Sequence, residues 1–213
     1  MAEKIRVVQV GLGPIGTEAA RLAHEKKALQ IVGGIDIDKG KVNKALGEIL
    51  GLKSLHDVVV SNDLAKVLEE TRPDIVLHST GSFLNNVEEQ LQMCLRAGAS
   101  VVSSCEELFY PYRRNSEFCA RIDRLAREHS ATVLGTGVNP GYSLDFFVLS
   151  ASSVCTHIES IRATRVSNAG RRRLPLQKKV GAGLTVDQFK TLVAQGKLGH
   201  IGLLESLHAV FDR

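Results

Sequence analysis

IRVVQV at Ile5 to Val10, GLGPIG at Gly11 to Gly16, TEAARLAHEK at Thr17 to Lys26 and QIVGGID at Gln30 to Asp36 decide the fold. The first stretch is apolar and rich in β-branched residues, so it reads as a buried strand. The third spaces Ala19, Ala20 and Ala23 at helical intervals, and the fourth is a second strand that ends in an acid. Strand, glycine turn, helix and strand make a βαβ unit whose turn has the spacing of a dinucleotide site. Gly11 permits the tight turn, Gly13 lets the backbone approach a pyrophosphate, and Gly16 lets the helix pack on the strand, with Pro14 and Ile15 inside the same turn. The helix N-terminus faces the phosphate charge. Asp36, about 20 residues past the glycines, is placed to accept hydrogen bonds from the adenosine ribose hydroxyls. Its charge repels a 2′-phosphate, which favours NAD over NADP. Lys39 and Lys41 keep dual use open, since they either offset that charge or simply begin a solvated helix.

After Asp36 the strand and helix signals go on alternating, the pattern of an α/β doubly wound parallel Rossmann sheet. Helices are predicted over Val42 to Leu50, Leu64 to Glu70, Asn86 to Ala97 and Ser116 to His129. Strands are predicted at Val58 to Val60, Asp74 to His78, Ser100 to Ser104 and Thr132 to Leu134. Ser79, Thr80, Gly81 and Ser82 follow a strand's carboxyl end, where open α/β sheets bind ligands. They either pass a nicotinamide ribose or cap the next helix. Glu106 and Glu107 reach the same edge, either to hold a substrate ammonium and move protons or to cap the helix that begins near Asn115. Gly135 to Tyr142 (GTGVNPGY) is too dense in glycine and proline for a regular element. It reads as a hinge, in which Asn139 is placed to bond a nicotinamide carboxamide and Tyr142 to wall a pocket. The expected division is therefore residues 1–136 for the dinucleotide domain and 137–213 for a partial α+β domain that binds substrate and dimerises. In the second part Ile158 to Val166 alternates like a strand, Val186 to Gln195 is helical, and a final helix follows Ser206. One strand without partners is not stable alone, so the expectation is a fragment, or strands supplied by another subunit.

The totals exclude several classes. With 213 residues, 44% of them hydrophobic, the chain can bury a sizeable core. Twenty-seven basic against 23 acidic residues give +4, too small and dispersed for nucleic acid. Arg171, Arg172, Arg173, Lys178 and Lys179 are a local exception, read as a solvated loop ahead of an anion site. No apolar run approaches the roughly 20 residues of a membrane span, and no signal-peptide layout opens the chain. The expected location is cytoplasmic. Cys94, Cys105, Cys119 and Cys155 lack C-x-x-C spacing and read as four buried thiols, with no metal site.

GLGPIG, SSCEELFYP at Ser103 to Pro111, GTGVNPGY at Gly135 to Tyr142, the Gln177 to Thr185 stretch and GHIGLLES at Gly199 to Ser206 together carry a resemblance. The chain resembles the 2,4-diaminopentanoate dehydrogenases and native amine dehydrogenases, relatives of dihydrodipicolinate reductase. The resemblance implies an NAD- or NADP-dependent oxidoreductase that reversibly deaminates a small-molecule amine to a ketone, and a homodimer. It implies that Gly11, Gly13, Gly16 and Asp36 hold the dinucleotide while Ser79 to Ser82 pass the nicotinamide ribose. Glu106 or Glu107 is then the carboxylate that engages the amine. Asn139, Pro140 and Gly141 frame the nicotinamide, and His200 approaches the substrate. Members of the family extend beyond the equivalent of Arg213. A dihydrodipicolinate reductase is the enzymatic alternative, weakened because its paired histidines with a following lysine are missing. A sugar oxidoreductase is weakened by Glu107 where its lysine belongs. A binding protein that kept only the nucleotide half is the non-catalytic alternative.

Overall fold

The apolar run Ile5–Val10 forms strand β1, with Val7, Val8 and Val10 at most 1% exposed. Burial on both faces is what a parallel sheet with helices on either side demands. The computed structural model describes residues 3–172, 174–195 and 198–212, with the backbone alone at Pro175 and Lys179. Arg173 and the Lys179 side chain, counted above in the basic cluster, lie outside the described residues. Two compact units divide the chain, Met1–Gly137 and Val138–Arg213.

In the first unit, β1 is followed by α1 (Pro14–Glu25), β2 (Leu29–Ile35), α2 (Leu46–Leu50), β3 (Val60–Ser61) and α3 (Leu64–Thr71). Then come β4 (Ile75–His78), α4 (Leu84–Arg96), β5 (Ser100–Ser103), α5 (Ser116–Glu128) and β6 (Val133–Gly135). The six strands form one parallel sheet in the order β3-β2-β1-β4-β5-β6. This is the Rossmann arrangement, and the chain crosses from β3 at one edge to β4 on the far side of β1. One apolar cluster joins α3, α4 and α5 to the sheet through Val67, Leu68, Val87, Leu91, Phe118 and Ile122. Another joins α1 and α2 through Ala20, Ala23, Leu46 and Leu50. The face Val87, Leu91, Cys94 and Leu95 of α4 is buried, as its spacing predicts.

Two local expectations need correction. The predicted helix from Val42 shrinks to the five residues of α2. Asn43 has φ 67°, and residues 43–46 instead zip against 58–60, through Asn43 N–H to Val60 O, Val60 N–H to Lys44 O and Leu46 N–H to Val58 O. Tertiary pairing overrides local propensity there. The four cysteines are also not alike: Cys94 and Cys105 are buried, Cys119 is half-buried and Cys155 is exposed.

The second unit holds α6 (Phe146–Ser152), α7 (Leu174–Lys179), α8 (Val186–Ala194) and α9 (Leu203–Phe211). Residues 158–166, predicted as a strand, form no strand. Among the described residues no partner offers them a ladder, and a strand without one cannot hold its hydrogen bonds. The final helix begins at Leu203 and so takes in the LLES of GHIGLLES. Among the described residues no helix is long and apolar enough to cross a membrane.

Candidate functional site

Parallel register brings the strand ends into one row. Ile35 pairs with Val10, Val10 with His78, His78 with Ser103 and Ser103 with Gly135. The residues that follow, Asp36, Gly11, Ser79 and Ser104, therefore stand side by side along the carboxyl edge of the sheet. Strand order reverses between β1 and β4, so their ends border the crevice where such sheets bind ligands.

The glycine turn sits tightly in that crevice. Gly11 has φ 84°, and a Cβ there would fall 2.5 Å from the Ser79 carbonyl oxygen. At Gly16 a Cβ would fall 1.8 Å from the Gly11 carbonyl oxygen. The Gln9 side chain supports the turn from within the sheet, its Nε2 donating to the Gly11 carbonyl at 2.9 Å. A polar residue inside IRVVQV was the sequence signal for this support, and the motif reading passed over it.

Gly13 differs, because a Cβ there would meet no protein atom within 4 Å. Helix α1 opens on Gly13 with no side-chain cap, Pro14 in its first turn and no acid there. An open space over an uncapped, positively poled helix end fits a pyrophosphate. Ile15 projects outward, 53% exposed.

Asp36 is more occupied than the sequence implies. Its Oδ2 accepts the Leu12 N–H at 2.8 Å and the Lys41 ammonium at 3.2 Å, and its Oδ1 accepts the Asp38 N–H at 2.8 Å. Burial pushes this carboxyl up, but the Asp38 and Leu12 hydrogen bonds and the Lys41 charge together leave it below its ordinary value. A carboxylate offers about four acceptor positions, so one remains for a ribose hydroxyl. Lys41 is thus an ion-pair partner of Asp36, while Lys39 is exposed.

At the end of β4, Ser79 donates its N–H to Val10 O, and Thr80 lies against the glycine turn. Beneath them His78 is fully buried, a residue the sequence reading did not single out. Its Nδ1 meets Ser103 Oγ at 2.9 Å, and its Nε2 meets Gln90 Oε1 at 2.8 Å and Thr80 Oγ1 at 2.9 Å. Ser103 Oγ also accepts the Cys105 N–H at 3.1 Å. One imidazole therefore fixes the turns after both β4 and β5. Burial holds its pKa low, partly offset by the bond to Gln90.

Glu106 and Glu107 lie in a short 3-10 turn just past β5, both half-buried. Glu107 Oε2 accepts the Leu84 N–H at 2.9 Å, and the Glu107 N–H donates to Ser82 O at 3.2 Å. Glu107 thus caps the first turn of α4. The same contacts pin Glu107 to the segment Ser82 to Leu84 that follows the β4 turn.

In the second unit the Asn139-Pro140 peptide is cis. His200 Nε2 lies 2.8 Å from Asn139 Nδ2 and 3.0 Å from the Asn139 carbonyl oxygen, with the tautomer deciding which bond forms. Asn139 Oδ1 is buried without a hydrogen-bond partner among the described residues. Tyr142 is 53% exposed and stacks on Phe146 with ring centroids 6.1 Å apart. Asp145, fully buried, accepts from the N–H groups of Gly141 at 2.9 Å and Phe146 at 2.6 Å, and from Ser206 Oγ at 2.6 Å. It ties the turn to α6 and α9, and its place between two phenylalanines and a leucine hid it in the sequence.

A Rossmann sheet, a glycine turn at an uncapped helix and an acid ending β2 define a dinucleotide-binding domain of the kind found in nicotinamide-dependent oxidoreductases. Family models agree in both halves: residues 5–105 match the N-terminal domain of dihydrodipicolinate reductase, and residues 142–213 match the C-terminal domain of 2,4-diaminopentanoate dehydrogenase. Both halves of the chain are thus similar to domains of this group of dehydrogenases. The 2,4-diaminopentanoate dehydrogenase of Acetoanaerobium sticklandii is 31% identical over 99% of this chain and 60% of that protein. An amine dehydrogenase of Streptomyces virginiae is 28% identical over 86% of this chain and 52% of its own length. The solved amine dehydrogenase of Mycobacterium smegmatis is 31% identical, with a TM-score of 0.84 over 98% of this chain and 61% of that one. The chain thus spans 52 to 61% of the length of these relatives.

Proposed function

We propose that the protein is an NAD(P)-dependent amine dehydrogenase that reversibly deaminates a small primary amine, such as 2,4-diaminopentanoate, to a ketone and ammonia. One observation carries the reading: a carboxylate pair, Glu106 and Glu107, stands at the ligand edge of a Rossmann sheet in a chain whose two halves match those two family models. A bound nicotinamide supplies the hydride acceptor for the carbon that bears nitrogen. Glu107, pinned by Leu84 N–H and Ser82 O, holds the ammonium group and takes up its proton, with Glu106 as the neighbouring acid. Gly11, Gly13, Pro14, Ile15 and Gly16 cradle the pyrophosphate, and Ser79, Thr80 and Gly81 pass the nicotinamide ribose. Asp36 takes the adenosine ribose and leans the site toward NAD. The unfilled Oδ1 of Asn139 supports the assignment of Asn139, Pro140 and Gly141 to the nicotinamide carboxamide. Tyr142 and His200 belong to the substrate side of the same reading. A homodimer formed through the second unit is part of it, supported by α6 and α8, which bury no side chain. The free cysteines fit a reducing cytoplasmic compartment.

The protein incubated with NAD or NADP and 2,4-diaminopentanoate should generate reduced nicotinamide and release a ketone. Glu107→Gln keeps an oxygen for the Leu84 N–H but loses the charge. Its kcat/KM should fall by about 10²- to 10⁴-fold while the melting temperature holds. Nucleotide binding without turnover of any amine would sink the reading, and full activity in Glu107→Gln would remove that residue from it.

A further inference from the structure

The acid that ends β2 is half of an ion pair. Lys41 Nζ lies 3.2 Å from Asp36 Oδ2 and 3.4 Å from Asp38 Oδ2. The turn itself sets that position, since the N–H groups of Lys41 and Val42 both donate to the Asp38 carbonyl, at 2.8 and 3.0 Å. Asp38 Oδ1 closes the turn by accepting the Gly40 N–H at 2.8 Å. Between Asp36 and Lys41 stand two acids and two bases, Asp36 and Asp38 against Lys39 and Lys41, so the formal charge cancels. The Lys41 side chain is 27% exposed and that of Asp36 10%, which puts the ammonium on the outer side of the pair.

We propose that Lys41 is the residue that sets how this site divides between NAD and NADP. With NAD, its ammonium stays on Asp36 and Asp38 while the remaining acceptor position of Asp36 takes a ribose hydroxyl. With NADP, the 2′-phosphate replaces that hydroxyl as a dianion, and the flexible lysine stem lets the ammonium turn to it as a charge-assisted donor. Without Lys41, the turn carries a net negative charge beside the phosphate and has lost that donor. The inference rests on the dinucleotide reading of the glycine turn and makes no use of amine chemistry.

Titration of the protein with NADH and with NADPH, followed by the fluorescence of the reduced nicotinamide, gives the ratio of the two dissociation constants without any turnover. Lys41→Gln should raise the NADPH-to-NADH ratio by about tenfold, the size of one hydrogen bond to a charged group. Lys41→Arg, which keeps the charge, should leave it within about threefold of the parent, and Asp38→Asn, which removes a competing acid, should lower it by about threefold. A ratio unmoved in Lys41→Gln overturns the role of Lys41 while leaving the dinucleotide site intact. If Lys41→Gln loses its fold by circular dichroism, Asp38→Asn decides, and an unchanged ratio there overturns the proposal. A parent protein that binds neither nucleotide overturns the dinucleotide reading and this inference with it.

Discussion

Burial decides how the individual titratable groups behave. It pushes the Cys94 thiol up to about 12 and the Cys105 thiol up to about 11, the second also raised by Glu106 and Glu107. Thiolate is the reactive form, so both should be inert to a disulfide reagent in the native protein. Cys155, exposed, should react first, and a thiol count taken before and after urea checks the order. His78 is the second case. Its folded pKa lies below the ordinary 6.5 because burial outweighs the bond to Gln90. The unfolded chain then binds the proton more readily. The stability His78 contributes is full above pH 6.5 and declines as pH falls below it. Its imidazole resonances should not titrate through pH 6.5 in the native protein, and a normal titration there would show that the buried network is open.

Whole elements depend on single atoms at the ligand edge. A Cβ on residue 16 would sit 1.8 Å from the Gly11 carbonyl oxygen and 2.8 Å from Gln9 Nε2, so α1 and the turn must separate to admit it. Gly16→Ala should cost about 1–3 kcal/mol in urea unfolding and abolish NADH binding. Glu107→Ala removes the acceptor of the Leu84 N–H and should cost about 1 kcal/mol, the usual worth of a helix cap. The order of strands and helices in the first unit was legible because the longer strands carry apolar runs and the longer helices show their period. The βαβ unit was legible from three glycines and one acid. What escaped were features made by distant partners: the pairing of 43–46 with 58–60, the His78 network with Ser103 and Gln90, and Asp145 with Ser206. The alternation of Ile158 to Val166 misled for the converse reason, since a side-chain period gives a strand only where a neighbour completes the ladder.

At the scale of the molecule the two units differ in what they bury. Nearly every buried apolar side chain belongs to the first, whereas in the second α6 and α8 bury none, and Asp145, Glu205, Ser206 and Ala209 make up most of what is enclosed. Amide exchange should therefore be slowest in β1, β4 and β5 and fast across 153–168, a contrast that mass spectrometry of exchanged peptides can read. Equal protection in both units would contradict it. The crossover from β3 to β4 bears on synthesis as well as on the finished fold. β1, the central strand, finds β2 at once, but its other neighbour begins about 40 residues after β2 ends, a delay of roughly 2–8 s at ribosomal speed. Through that interval one side of β1 is an unpaired edge on a nascent chain, so slowed translation between Asp36 and Asp74 should increase chaperone capture and aggregation, while slowing after His78 should be tolerated.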